Sequence, residues 1–88
     1  MELTKLLEVI VQALVDRPDQ VKINVVTGEQ TAILELRVAQ EDLGKVVGKK
    51  GAIIDAIRVI LEAATAALAK REGRQLRLLF SLLETSRS

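Results

Sequence analysis

The 88-residue chain has no cysteine, histidine, tryptophan or tyrosine, and only one proline and one phenylalanine. Without cysteine there is no disulfide framework and no thiolate nucleophile, and a reducing compartment suits the chain. Lacking histidine as well, it has no common general base at neutral pH and no ligand set for zinc. Ser81, Ser86 and Ser88 lie at the C-terminal end, away from any candidate base. These absences argue against an enzyme, and no cofactor is implied. With Phe80 as the sole aromatic, modules that stack bases on aromatic platforms are excluded too.

Long hydrophobic runs are also missing. The stretch from Val9 to Val15 is interrupted by Gln12 and is too short to span a bilayer. No basic leader opens the chain, so a cytoplasmic protein without a membrane partner is expected. An excess of either charge is missing as well: 13 basic and 12 acidic residues leave a net charge of +1, which creates no global field toward nucleic acid. Apolar residues make up 49% of the chain, nearly all aliphatic, enough for one small core. One domain over residues 1–84 with a flexible tail over 85–88 is expected.

Periodicity orders the elements. Leu3, Leu6, Leu7, Ile10 and Leu14 recur at helical spacing, with Val9, Val11 and Val15 outside that stripe. The helix should end near Asp16-Arg17-Pro18-Asp19, where proline biases Arg17 away from helix. Val21, Ile23 and Val25 alternate with polar residues, as do Ala32, Leu34, Leu36 and Val38 after a turn at Gly28-Glu29-Gln30, which predicts a hairpin. Gln40 to Val47 reads as a short helix with Glu41 and Asp42 at the positive end of its dipole. Ile54, Ile57, Leu61, Ala64 and Leu68 define a long helix, with Ile53 and Ile60 widening the stripe. Lys70, Arg71, Glu72 and Gly73 end it, and the basic group Lys70, Arg71, Arg74 and Arg77 reads as a helix end. The last segment is open: Leu76, Leu78, Phe80 and Leu82 fit a strand, while Leu76, Leu79, Phe80 and Leu83 fit a helix.

Between the second and third helices lies Val46-Val47-Gly48-Lys49-Lys50-Gly51-Ala52-Ile53-Ile54. Two glycines three apart permit a tight path and close approach of another molecule, and two lysines add charge at the tip. Free amides at the start of the following helix would point into the same space, which makes an anion site suited to a phosphate chain. This is not a nucleotide P-loop, because Gly44 and Gly48 have three residues between them rather than four and no Ser or Thr follows the lysine. Glu41 and Asp42 could hold Mg²⁺ weakly, but nothing nearby completes a site.

This run resembles the KH-domain signature, Val-Ile-Gly-x-x-Gly-x-x-Ile, with Val47 in place of the isoleucine. Glu41-Asp42-Leu43-Gly44-Lys45 upstream and Ala56-Ile57-Arg58 downstream extend the likeness toward small single-domain bacterial KH proteins of the KhpA type. The resemblance implies an α+β fold, the type II (prokaryotic) KH arrangement of order αββααβ. Its three-stranded sheet carries three helices on one face, and the open segment over 76–83 becomes a strand.

It also implies that single-stranded RNA, with single-stranded DNA not distinguished, passes between the glycine loop and the sheet edge. Gly48, Lys49, Lys50 and Gly51 would meet the phosphates, and Lys45 would add a third charge. Leu43, Val46, Val47 and Ile54 would floor the groove, and the second strand would form its other wall. Ala52 and Asp55 stand where relatives often place basic residues, so affinity should be weak. The likeness further implies a homodimer, a complex with a KhpB or Jag type KH protein, and a role as an RNA chaperone or post-transcriptional regulator in cell elongation and envelope homeostasis.

Plainer readings stand beside these. The glycines could form only a tight turn, lysines at a loop tip are usually just solvated, and Val46, Val47 and Ile54 could be core. The alternative function is a dimerising protein-interaction module without RNA binding, using the outer valines of the first helix and the alanine-rich stretch from Ala63 to Ala69.

Overall fold

The computed structural model describes residues 2–84, with the side chains of residues 2–83; the expected tail over 85–88 lies outside the described residues. Helix α1 (Glu2–Leu14) is followed by strands β1 (Lys22–Thr27) and β2 (Thr31–Val38), helices α2 (Leu43–Val47) and α3 (Ala52–Glu72), and strand β3 (Arg77–Glu84). This is the αββααβ order of the type II KH fold. Single 3₁₀ turns at Pro18–Gln20, Gln40–Asp42 and Lys49–Gly51 join the elements. The helix expected over 40–47 is thus a 3₁₀ turn followed by a short α-helix, and Leu43 begins the latter.

β2 is the central strand, antiparallel to β1 and parallel to β3. Its alternation decides which face is covered: Ala32, Leu34, Leu36 and Val38 have no exposed surface, while Thr31, Ile33, Glu35 and Arg37 point the other way and are half-buried. The helices lie over the first set, where Leu3, Leu7 and Val11 of α1, Val46 of α2 and Ile57, Leu61 and Leu68 of α3 complete the core. Each such side chain contributes about 1.5–3 kcal/mol by leaving water.

The segment left open by its leucines is a strand. Parallel register sets Leu78 beside Ala32, Phe80 beside Leu34 and Leu82 beside Leu36, so alternate residues turn inward. Three other expectations change. Val11, read as a spare outer residue, is fully buried, because α1 turns its Leu3–Leu7–Val11 row to the sheet and leaves Leu6, Ile10 and Leu14 at the margins. Ile60, read as part of the core stripe, is 46% exposed. β2, expected to wall the groove, has a neighbour on each side, so the strand edge beside α3 belongs to β3. At the far end of α3, Gly73 takes φ 64°, and Arg74 N–H donates to the Ala69 carbonyl, a glycine stop as read from the sequence.

Candidate nucleic-acid interface

α2 closes with Gly48 N–H donating to the Gly44 carbonyl at 2.9 Å. Gly48 then takes φ 77°, ψ 174°, Lys50 takes φ 57°, ψ 25°, and Gly51 takes φ 77°, ψ 14°. Three of the four loop residues therefore have positive φ, and Lys50 is the one non-glycine residue to do so among the described residues. That conformation costs an L-residue about 1–2 kcal/mol. The amides behave less simply than expected. Gly51 N–H donates to the Gly48 carbonyl and Ala52 N–H to the Lys49 carbonyl, so both are engaged within the turn. Lys49 and Lys50 supply the amides left over, as the opening residues of a helical turn must. No side chain caps α3.

The three lysines separate clearly. Lys49 and Lys50 are exposed and make no ion pair among the described residues. Lys45 Nζ lies 3.1 Å from Asp16 Oδ2 and 3.7 Å from Asp42 Oδ1. Hydrogen bonding and charge from Asp16 raise its pKa against the opposing effect of burial, with a lesser upward push from Asp42. Asp55 is exposed in the first turn of α3, its Oδ2 near Gly51, and brings a negative charge to the loop as the sequence indicated.

Asp42 holds the frame of this site together. Its side chain is fully buried, and it accepts hydrogen bonds from the backbone N–H of Asp16 at 3.1 Å and of Arg17 at 3.0 Å. Burial pushes its carboxyl up, but the two amides and Lys45 outweigh burial and hold it below the usual carboxylate range. Sequence reading placed Asp42 at a helix dipole; instead it ties the turn after α1 to the start of α2, and it makes no cap hydrogen bond. Only a contact 26 residues distant in the chain reveals this.

Of the apolar floor, Leu43, Val47 and Ile54 are half-buried beside the loop, whereas Val46 is 0% exposed. Val46 is a core residue with no surface to offer a ligand. Two residues the sequence did not single out as ligand contacts stand on the β3 side: the Arg58 guanidinium carbon lies 5.6 Å from the centroid of the Phe80 ring. The signal was present, since the one aromatic falls at an inward position of the third strand, but pairing it with Arg58 requires the α3–β3 contact.

Two arginines of the second basic group are engaged elsewhere. Arg71 Nη2 is 2.6 Å from Glu2 Oε2, and Arg74 Nε donates to Glu72 Oε1 at 2.8 Å. A cavity of about 690 Å³ lies at this end, between the hairpin turn and the end of α3. Among the described residues no cluster of acidic side chains could hold a metal ion, and no helix is long and apolar enough to cross a membrane.

Comparison with known proteins bears on the family and the fold. The family described as KhpA/KhpB, KH domain, matches residues 4–78. An RNA-binding protein KhpA from Clostridium acetobutylicum is 55% identical over 67 residues, covering 76% of this chain and 89% of that protein. The protein of the same name from Borreliella burgdorferi is 51% identical over 67 residues, covering 76% of this chain and 82% of its own length. Among solved structures, Era in complex with MgGDPNP and nucleotides 1506–1542 of 16S ribosomal RNA superposes with a TM-score of 0.55 at 22% identity. That match covers 93% of this chain but 30% of the Era chain, so the likeness is one of fold over a single part of a longer molecule.

Proposed function

We propose that this chain, which belongs to the KhpA/KhpB family of KH domains, binds single-stranded RNA through the loop from Gly48 to Gly51. The observation that carries the reading is Lys50: a lysine held in a left-handed conformation between two positive-φ glycines, exposed and without an ion pair among the described residues. Backbone strain of that kind persists where a function holds it in place. Lys49 and Lys50 meet the phosphates with their ammonium groups and their unused amides, and the glycines keep Cβ atoms out of the path. Bases turn onto Leu43, Val47 and Ile54. Lys45 supports the frame rather than the ligand. With two free charges and Asp55 close by, the single-site affinity is low.

The alternative, a dimerising module without RNA binding, is set aside, but its dimerisation is compatible with this reading. α3 is apolar on both sides: opposite its core row it exposes Ala56, Val59, Ile60, Ala63 and Ala67, with Val59 64% exposed. Beside the charged strip of Asp55, Arg58 and Glu62, this contiguous apolar face suits cover by a partner surface. A homodimer joined through this face links two weak sites and raises their combined affinity. The relatives named RNA-binding protein KhpA and the KhpA/KhpB family support an RNA partner and a link to a KhpB-type protein. Action in the cytoplasm as an RNA chaperone or regulator of cell elongation and envelope homeostasis follows from the family resemblance alone.

Fluorescence anisotropy with a short labelled single-stranded RNA tests the loop. The Lys49→Asp, Lys50→Asp double variant should lose binding while its circular dichroism and melting midpoint stay near wild type, since exposed changes move stability by only about 0.5 kcal/mol. Unchanged affinity in that variant refutes the phosphate cradle.

A further inference from the structure

The basic group around Gly73 reads from the sequence as a helix end, and the glycine loop makes no use of it. Arg71 and Arg74 pair with Glu2 and Glu72, but Lys70 and Arg77 are exposed and form no ion pair among the described residues. A cavity of about 680 Å³ lies here, between the hairpin turn, the last turns of α3 and the start of β3. Arg74, Arg77, Gln30, Gln75 and Thr31 line it, and its remaining wall is aliphatic. No carboxylate is among the described residues that line it. Glu29 borders the adjoining cavity, and Glu72 is held by Arg74.

Backbone contacts hold these donors together. Arg77 N–H donates to the Gln30 carbonyl at 2.7 Å, and Gly28 N–H to the Thr31 carbonyl at 2.8 Å, so the hairpin turn is tied to the start of β3. Arg74 Nε donates to Glu72 at 2.8 Å and its Nη1 to the Glu29 carbonyl at 3.4 Å. Both contacts orient the guanidinium and leave Nη2 for a ligand. Guanidinium, amide and hydroxyl groups can all donate at once. A carboxylate has two oxygens to receive them, whereas a phosphate has more and matches the guanidinium fork. Two arginines with Lys70 nearby exclude a cation. Ala69, on the wall of the cavity, is 17 residues beyond Ala52, roughly 26 Å along α3 from the loop.

We propose that this cavity is a second phosphate-binding site, separate from the glycine loop, with Arg77 as its main contact and Arg74 as its second. The phosphate belongs to a nucleic-acid strand that continues past the loop or to a small free phosphate ester, and the recognising chemistry is the same for both. The proposal goes beyond the loop reading and does not depend on it.

Two measurements test it, on the wild-type chain, Arg77→Gln and the Lys49→Asp, Lys50→Asp variant. In the first, inorganic phosphate is titrated against sodium chloride of equal ionic strength while backbone amide resonances are followed. Residues 29–31 and 74–77 should shift in the wild type and in the loop variant, and Arg77→Gln should lose those shifts. In the second, anisotropy compares single strands of about five and about fifteen nucleotides, the shorter just filling a four-nucleotide clamp. Arg77→Gln should leave the short strand alone and weaken the long one roughly tenfold, the worth of one charge-assisted contact. The statistical gain of a longer strand is the same in both proteins and cancels. A lost length gain assigns the site to RNA, and phosphate shifts with the length gain intact assign it to a free phosphate ester. Circular dichroism checks folding; Arg74→Gln replaces Arg77→Gln if the latter does not fold. Absence of both effects would overturn the proposal, as would equal weakening of both strands, which would place Arg77 in the loop's own site. Failure of the wild type to bind the short strand would overturn the loop reading and leave the phosphate titration to decide this one.

Discussion

Ile53 fills the space that a side chain on residue 48 would need. A Cβ built on Gly48 falls 2.6 Å from Ile53 Cγ1, and the backbone there has φ 77°. Gly51 shares that φ, but its Cβ would meet only ordinary contacts, the closest being Asp55 Oδ2 at 3.8 Å. The two glycines therefore differ in kind. Gly51→Ala should cost about 1–2 kcal/mol for the left-handed backbone alone. Gly48→Ala adds an overlap with the first turn of α3 to backbone strain in a region nearly confined to glycine, and should cost more than about 2 kcal/mol. Urea denaturation of both variants checks the order, and equal losses would show that Ile53 gives way freely.

Salt dependence separates the lysines. Two free charges predict a slope of about −1.4 in log affinity against log salt, from about −0.7 for each phosphate of a single strand. Lys45→Gln should leave that slope alone and lower stability, because Asp16 and Asp42 hold its charge. Lys50→Asn should do the reverse: asparagine accepts the left-handed region more readily than lysine, so stability holds or rises while the slope loses about 0.7. Titrations at four salt concentrations suffice. A shallower slope in Lys45→Gln would place Lys45 on the ligand.

Asp42 makes the fold acid-sensitive in a defined window. Its carboxyl lies below the 3.8 of an ordinary aspartate in the folded chain, so the stability it contributes is complete above that value. It drains away as pH falls through the lower folded value. Asp42→Asn leaves one acceptor oxygen for two backbone N–H groups, so the variant should melt lower near neutrality and respond less to acid than wild type. Melting midpoints between pH 2 and 7 would reveal it. Parallel profiles for the two chains would show that Asp42 does not titrate with folding.

Local periodicity carried most of this architecture. The alternation of Ala32, Leu34, Leu36 and Val38 marked the buried face of β2, and Gly48 and Gly51 marked the loop. What stayed out of reach depended on contacts distant in sequence. Val11 and Ile60 exchange core and surface because helix rotation is set by the sheet beneath, not by the helix's own stripe. Asp42 reads as a dipole partner until the amides of Asp16 and Arg17 are brought to it. Leucine-rich residues 76–83 favour helix on propensity, and pairing with β2 overrides that preference.

Assembly through α3 has a direct test. A charge at Val59 or Ala67 would be set into the apolar outer face of that helix, so Val59→Glu and Ala67→Glu should shift the chain toward monomer and weaken RNA binding with the loop intact. Light scattering across the micromolar range decides it. A wild-type mass of one chain throughout would refute the homodimer.

The parallel pairing of β2 with β3 has a kinetic consequence. Everything from the end of β2 to the start of β3, including the glycine loop and all of α3, lies inside the chain closed by that pairing. Ordering so long a loop must be met before its contacts return anything, which favours late docking of β3. β3 is also bonded to one strand only. Local opening would therefore unmake the groove wall while the hairpin and its covering helix persist. Phe80 leaves with β3, and Arg58 loses its seat. A bound strand of RNA touching both walls would oppose that opening, so amide exchange along residues 77–84 should slow when RNA is present.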